Sequence, residues 1–158
     1  MLGPFGLRNP IDKRRTHDDD HHVTADLTYL LRSVVDDVEL SKLHHDAFES
    51  DQPEILPWRD RLEAHSLTWV QAFDAGRLVG FVNVAWDGGA HAFVLDTIVE
   101  RERRHQGIGT ELIRRAAATS QEAGCTWLHV DFEPHLEDFY LGSGGFRSTP
   151  AGLLRLVH

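Results

Sequence analysis

The sequence predicts an α/β (α+β) domain: a mixed central sheet of about six to seven strands with about four helices around it. Three observations lead there. From Phe93 to Val99 the residues are mostly β-branched, aromatic or leucine, the composition of a largely buried strand. From Ile108 onward the apolar positions fall at Ile108, Leu112 and Ala116, with Ile113 and Ala117 alongside, while Glu111, Arg114 and Arg115 point away. That is the spacing of an amphipathic helix. Gly124 then stops the helix and Cys125 to Phe132 reads as a further strand. A strand–helix–strand connection of this length is a right-handed crossover, so the fourth and fifth strands run parallel.

Taken in order, residues 1–24 read as a flexible leader and residues 25–158 as one domain. The leader holds Lys13-Arg14-Arg15 and then Asp18-Asp19-Asp20-His21-His22. Carboxylates beside histidines are metal-binding chemistry, but nothing apolar there fixes a coordination geometry, so a solvated tail and no metal site are expected. Leu27 to Arg32 is the first strand. Asp36 and Asp37 cap a helix running from Val38 to Phe48, and a loop with Pro53 and Pro57 leads to a second helix from Trp58 to His65. Leu67 to Phe73 and Arg77 to Trp86 form a hairpin across Asp74-Ala75-Gly76-Arg77, with Gly76 free to take a positive φ. Gly88-Gly89 turns the chain into the central strand, which completes an antiparallel meander. Beyond the fifth strand, Pro134 to Leu141 reads as a short helix. Phe146-Arg147-Ser148 and Leu153 to Val157 read as a last hairpin.

A chain of 158 residues is of single-domain length, and 41% apolar with 26% charged residues is ordinary for a globular protein. No apolar run approaches the roughly 20 residues that span a bilayer, and the first residues lack a signal-peptide core. The single cysteine, Cys125, fits a reducing compartment, so a cytoplasmic location is expected. Net charge is −9, which argues against a nucleic-acid surface and favours cationic or neutral substrates.

Gly107 and Gly109 stand where the polar turn after the central strand meets its helix, and let a backbone approach something closely. The N–H groups of a helix start favour anions, each contact contributing about 0.3–1 kcal/mol. Three phosphate-binding patterns compete for this stretch. A Rossmann fingerprint needs a third small residue where Leu112 stands, and no Gly-Lys-Ser/Thr exists for a P-loop. Arg104, Gly107 and Gly109 instead fit Arg/Gln-x-x-Gly-x-Gly/Ala, and the stretch resembles the acyl-CoA site of the GNAT acetyltransferase superfamily. Asp96-Thr97-Ile98-Val99 resembles that family's strand ending. Phe139-Tyr140 and Gly145-Phe146 resemble its short helix and following turn. Glu133-Pro134 replaces the family's frequent Asn, and the Tyr-to-Phe spacing is one residue longer than the commonest form.

The resemblance implies the GNAT fold, with the fourth and fifth strands splayed apart and acetyl-CoA as co-substrate. It assigns the pyrophosphate to the N–H groups of Gln106, Gly107, Ile108, Gly109 and Thr110, and adds Arg104 and His105 to the cofactor-binding residues. It places the pantetheine arm along Thr97, Ile98 and Val99, with Val99 N–H polarising the thioester carbonyl. The implied reaction is acetyl transfer to a primary amine of a small molecule by direct attack, with Tyr140 matching the general acid. The alternative reading of Tyr140 is a packed, hydrogen-bonded tyrosine.

A lysine-like amine, with pKa about 10.4, is neutral only about one time in 2,500 at pH 7, so a base must take a proton. Alternation puts Trp127, His129, Asp131 and Glu133 on one strand face. His129 titrates near neutrality; Glu133, Glu100 and Asp96 are its rivals, and a structural role for His129 stays open. In the family the first two helices form one wall of the acceptor pocket, and here that region is acidic. Two alternatives remain: an enzyme acting on protein N-termini or lysines, and a non-catalytic acyl-CoA-binding regulatory module. Many members of the family dimerise, so the resemblance makes a homodimer possible; the acidic charge and the lack of a long apolar run leave neither nucleic acid nor membrane as an expected partner.

Overall fold

The computed structural model describes residues 27–48 and 54–156; the leader with its Asp-His run, and Val157, lie outside them. Five strands form one sheet in the order β1-β2-β3-β4-β5. They are β1 (Leu27–Leu31), β2 (Ser66–Asp74), β3 (Arg77–Trp86), β4 (His91–Val99) and β5 (Trp127–Val130). The first four pair antiparallel, and β4 and β5 pair parallel with His91 opposite Trp127. Helices α1 (Asp37–Phe48) and α2 (Trp58–His65) cover one face, and α3 (Ile108–Glu122) covers the other.

Local chemistry explains the boundaries. Asp36 Oδ1 accepts the N–H groups of Val38 and Glu39, both at 2.9 Å, and so caps α1. Ala75 and Gly76 both take left-handed φ values, 48° and 82°, as a two-residue hairpin turn requires. Two cores result. On one face Leu40, Leu43, Trp58 and Leu62 pack on Trp69, Phe81 and Ile98. On the other, Ile108, Leu112, Ile113 and Ala116 of α3 pack on Val79, Val82, Val84, Ala92 and Val94. No helix among the described residues is long and apolar enough to cross a membrane. No group of three His, Cys, Asp or Glu side chains among them could hold a metal ion.

The end of the chain departs from expectation. The sheet has five strands rather than six or seven, because the residues of the expected last hairpin form no strand as far as residue 156. Phe146 docks its ring on Tyr140, but Leu153, Leu154 and Leu156 are all more than four-fifths exposed. Pro150 lacks a donor and Gly152 lacks a side chain to pack, which leaves the intervening segments too short to extend a ladder. The expected helix from Pro134 is also divided, into a 3-10 turn at Pro134–Leu136 and a π-helical turn at Asp138–Ser143. A wide bond from Gly144 N to Phe139 O, 2.8 Å, closes the second turn.

Candidate active site

The ladder between β4 and β5 ends early. Its last pair is Val94 with Val130, yet β4 runs on through residues 95–99 bonded to β3 alone. One extra residue in β4 accompanies the change. Phe81 pairs with Ile98 and Asn83 with Leu95, so two steps along β3 match three along β4. That is a β-bulge. Asp96 sits in it with φ 51°, uncommon for a residue with a side chain. Above the bulge, Glu100 N donates to Val79 O at 2.9 Å. Alternation therefore aims Val99 N–H the other way, into the gap. On that side the Val99 carbonyl accepts Arg104 Nε at 3.2 Å. Thr97 Oγ1 is buried close to the Tyr140 hydroxyl.

One end of the gap meets the start of α3. Gly107, with φ 82°, precedes the helix and no side chain caps it. The first intrahelical bond runs from Glu111 N to Gly107 O at 3.0 Å, so Ile108, Gly109 and Thr110 present N–H groups outward. The loop before it is braced by Arg103 on Asp74 and by Gln106 Nε2 donating to Glu102 O at 3.1 Å. Gly109 lies under a ring: a Cβ there would stand 3.1 Å from Phe139 Cζ.

The next residue, Tyr140, is buried against Phe132, Phe139 and Phe146, with ring centroids at 5.0, 4.7 and 5.9 Å. Burial raises its hydroxyl above the ordinary phenol value, and hydrogen bonding with the Thr97 side chain acts the other way. Tyr140 therefore holds its proton and faces the gap edge beside Thr97.

Across the sheet the bulge turns Asp96 towards α1 and α2. Arg61 Nη2 donates to Asp96 Oδ2 at 2.9 Å while its guanidinium lies 4.1 Å over the Trp58 ring. Asn83 Nδ2 reaches the same carboxylate oxygen at 3.5 Å, and His44 Nε2 stands 3.7 Å from Oδ1. Burial among Trp58 and Phe48 lowers the His44 pKa, Asp96 opposing that effect and Arg61 adding to it.

Thr97, Val99, Gly109 and Tyr140 thus converge around one opening, and residues 104–110 border the end of it that meets the start of α3. His129 lies lower. It pairs with Phe93, and its Nε2 stands 2.8 Å from His91 Nδ1. β5 ends at Val130, and Asp131 and Glu133 follow it without strand pairing. Sequence reasoning named Asp96 but not Arg61 or His44, whose approach depends on contacts between distant segments. The only local trace was an unusual density of charge in the second helix.

Comparison with known proteins gives this geometry a family. The acetyltransferase (GNAT) family model matches residues 37–142, about two thirds of the chain. The chain belongs to that family. Among solved structures, a GNAT-family acetyltransferase from Streptococcus pneumoniae aligns with TM-score 0.66 and 24% identity, covering 83% of this chain and 99% of its own. The acetyltransferase AAC(6')-Iy, bound to a CoA-S-monomethyl-acetylneamine bisubstrate analogue, aligns with TM-score 0.69 and 14% identity over 84% and 98%. An aminoglycoside acetyltransferase from an uncultured soil metagenomic sample, in complex with trehalose, aligns with TM-score 0.67 and 17% identity over 84% and 97%. At such identities the likeness establishes the fold. No curated protein sequence matches.

Proposed function

We propose that the chain transfers an acetyl group from acetyl-CoA to the primary amine of a small molecule, by direct attack in a ternary complex. Membership of the GNAT family makes acetyl-CoA the co-substrate. The observation that carries the reading is the gap between β4 and β5. Its edge offers Val99 N–H, and it opens on the uncapped start of α3. An uncapped helix start suits a diphosphate, and a free strand edge suits an amide-bearing arm that adds as a further strand. That two neighbours in fold are aminoglycoside acetyltransferases supports a small amine over a protein acceptor.

In the step itself the amine nitrogen bonds to the thioester carbon and the carbon–sulfur bond breaks. The thiolate takes a proton from Tyr140 Oη, and the proton lost by nitrogen goes to a base, directly or through water. We take Glu133, just beyond the end of β5, as that base. Asp96 is already held by Arg61, and His129 lies further down the strand.

The test is thiol release from acetyl-CoA with a panel of polyamines, aminoglycosides, amino acids and short peptides. Amine-dependent release is expected, and Tyr140→Phe should lower kcat by about 10²–10⁴ while acetyl-CoA affinity is kept. Acetyl-CoA binding with no release above hydrolysis for any amine would instead support a non-catalytic acyl-CoA module.

A further inference from the structure

Resting on the acetyl-transfer reading, we propose that the acceptor's ammonium is seated between Asp96 Oδ1 and His44 Nε2, and that His44 takes the proton whose loss frees the nitrogen lone pair. An alkylamine reaches the site protonated at neutral pH. It loses one proton before it attacks the thioester and another afterwards, and Glu133 accounts for the second alone.

The direction of attack follows from what occupies each face of the sheet. On the α3 side, Phe139 and Tyr140 pack in the same core as Val99 and fill the space beside the gap. The nitrogen therefore comes from the side of α1 and α2, to which the bulge turns Asp96. Asp96 Oδ2 is taken there by Arg61 Nη2 at 2.9 Å, with Asn83 Nδ2 at 3.5 Å, which leaves Oδ1. His44 Nε2 stands 3.7 Å from Oδ1, too far for a hydrogen bond between the two. At that spacing both atoms can lie about 2.9 Å from one nitrogen placed between them. The side chains of His44 and Asp96 are 27% and 21% exposed, so the seat is open to a ligand yet partly shielded from water.

His44 is suited to the proton because its surroundings keep it neutral. Its ring packs on Phe48 and Trp58, with centroids at 4.6 and 5.1 Å. That burial lowers its pKa, so at pH 7 the imidazole is unprotonated and Nε2 can accept in the tautomer protonated at Nδ1. The charged groups facing it are Asp96 from β4 and Arg61 from α2. Asp96 favours the imidazolium once the proton arrives. Arg61 offsets the same carboxylate, so the seat does not lock the ligand in its ammonium form. In the step, one N–H bond breaks, its electron pair stays on nitrogen, and the proton passes to Nε2 and on to water.

The experiment uses two small amines. Propylamine is protonated at pH 7, as a lysine side chain is, whereas its fluorines leave trifluoroethylamine neutral there. In His44→Gln, and in His44→Phe, which keeps the ring packing, kcat/KM for propylamine at saturating acetyl-CoA should fall by about 10²–10⁴. Trifluoroethylamine should be nearly unaffected, because it has no first proton to lose. Unchanged acetyl-CoA affinity in both variants reports an intact fold. NMR titration of the His44 ring in the CoA-loaded protein needs no turnover. Propylammonium should lower the ring pKa further, as a cation beside an imidazole does, and sodium chloride at equal concentration should not. Equal losses for the two amines, full propylamine activity in either variant, or a His44 pKa indifferent to propylammonium would overturn the proposal. If no amine releases CoA the acetyl-transfer reading fails, and the shift of the His44 ring still decides whether the seat binds an ammonium.

Discussion

The ring of Phe139 fills the space that Gly109 leaves by having no side chain. A Cβ on Gly109 would meet Phe139 Cζ at 3.1 Å and Cε2 at 3.2 Å. The second glycine of the motif therefore joins two parts of the site, the start of α3 and the turn that carries Tyr140. Gly109→Ala should destabilise the fold by about 1–3 kcal/mol through overpacking, read by urea denaturation. It should also lower kcat by displacing Phe139 and with it the adjacent Tyr140.

Gly107 behaves differently. Nothing lies within 4 Å of a Cβ there, and the residue is required for its φ of 82°. Gly107→Glu should cost only about 1–2 kcal/mol of backbone strain. The same change sets a carboxylate before the uncapped N–H groups and should weaken CoA by at least about tenfold in calorimetry. Unchanged affinity would mean that the phosphates sit elsewhere.

Tyr140 must be protonated to act as an acid. Burial raises its pKa, so the proton stays on beyond pH 10, and the alkaline limb of kcat should fall only above that value. Thr97 opposes the rise, hence Thr97→Val should push the limb further up. A pH–rate profile with an amine of low pKa reads both shifts, and an alkaline limb below pH 10 that vanishes in Tyr140→Phe would contradict the expectation.

His44 titrates below its ordinary value, and Arg61 contributes to that lowering. In Arg61→Ala the cation is gone while Asp96 remains, so the imidazole pKa should rise, as NMR titration of the His44 ring would show. For stability the sign is fixed by the lowered folded-state value. His44 contributes above pH 6.5, and the contribution is lost as pH falls through the folded pKa.

On α3, Glu111 accepts from Arg114 and Arg115, each contact at 2.7 Å, and these hydrogen bonds hold its carboxyl down to about 2. Stability from Glu111 is therefore present above pH 4.5 and is lost as pH falls from there to about 2. Water screening keeps the effect to about 1 kcal/mol or less, so Glu111→Gln should show a small deficit at pH 7 that closes in acid. Thermal melts at pH 7 and pH 2.5 compare the two.

Periodicity and turn chemistry located both helices before β2, all of the meander, and the crossover to a parallel β5. Those signals are local, and the apolar spacing of α3 or the Ala75-Gly76 turn needs no knowledge of distant residues. The bulge was not legible, because Ala92 to Val99 is apolar on nearly every position and shows no change of phase. Nor was the Phe139–Gly109 contact or the Arg61–Asp96 pair, each joining segments thirty or more residues apart. The last hairpin was expected from composition alone, and Pro150 with Gly152 outweighs the β-propensity of the leucines around them.

The bulge in β4 also changes which alternate residues face each core. Below it the even-numbered Ala92 and Val94 face α3, whereas above it the even-numbered Ile98 faces α1 and α2. Odd-numbered Val99 packs on the α3 side above the bulge, so each face of the strand keeps its own core throughout. The extra residue is what takes Asp96 out of plain alternation and onto the side of Arg61, at the point where the two strands part. A deletion at Asp96 would leave both faces packed and remove that ion pair alone.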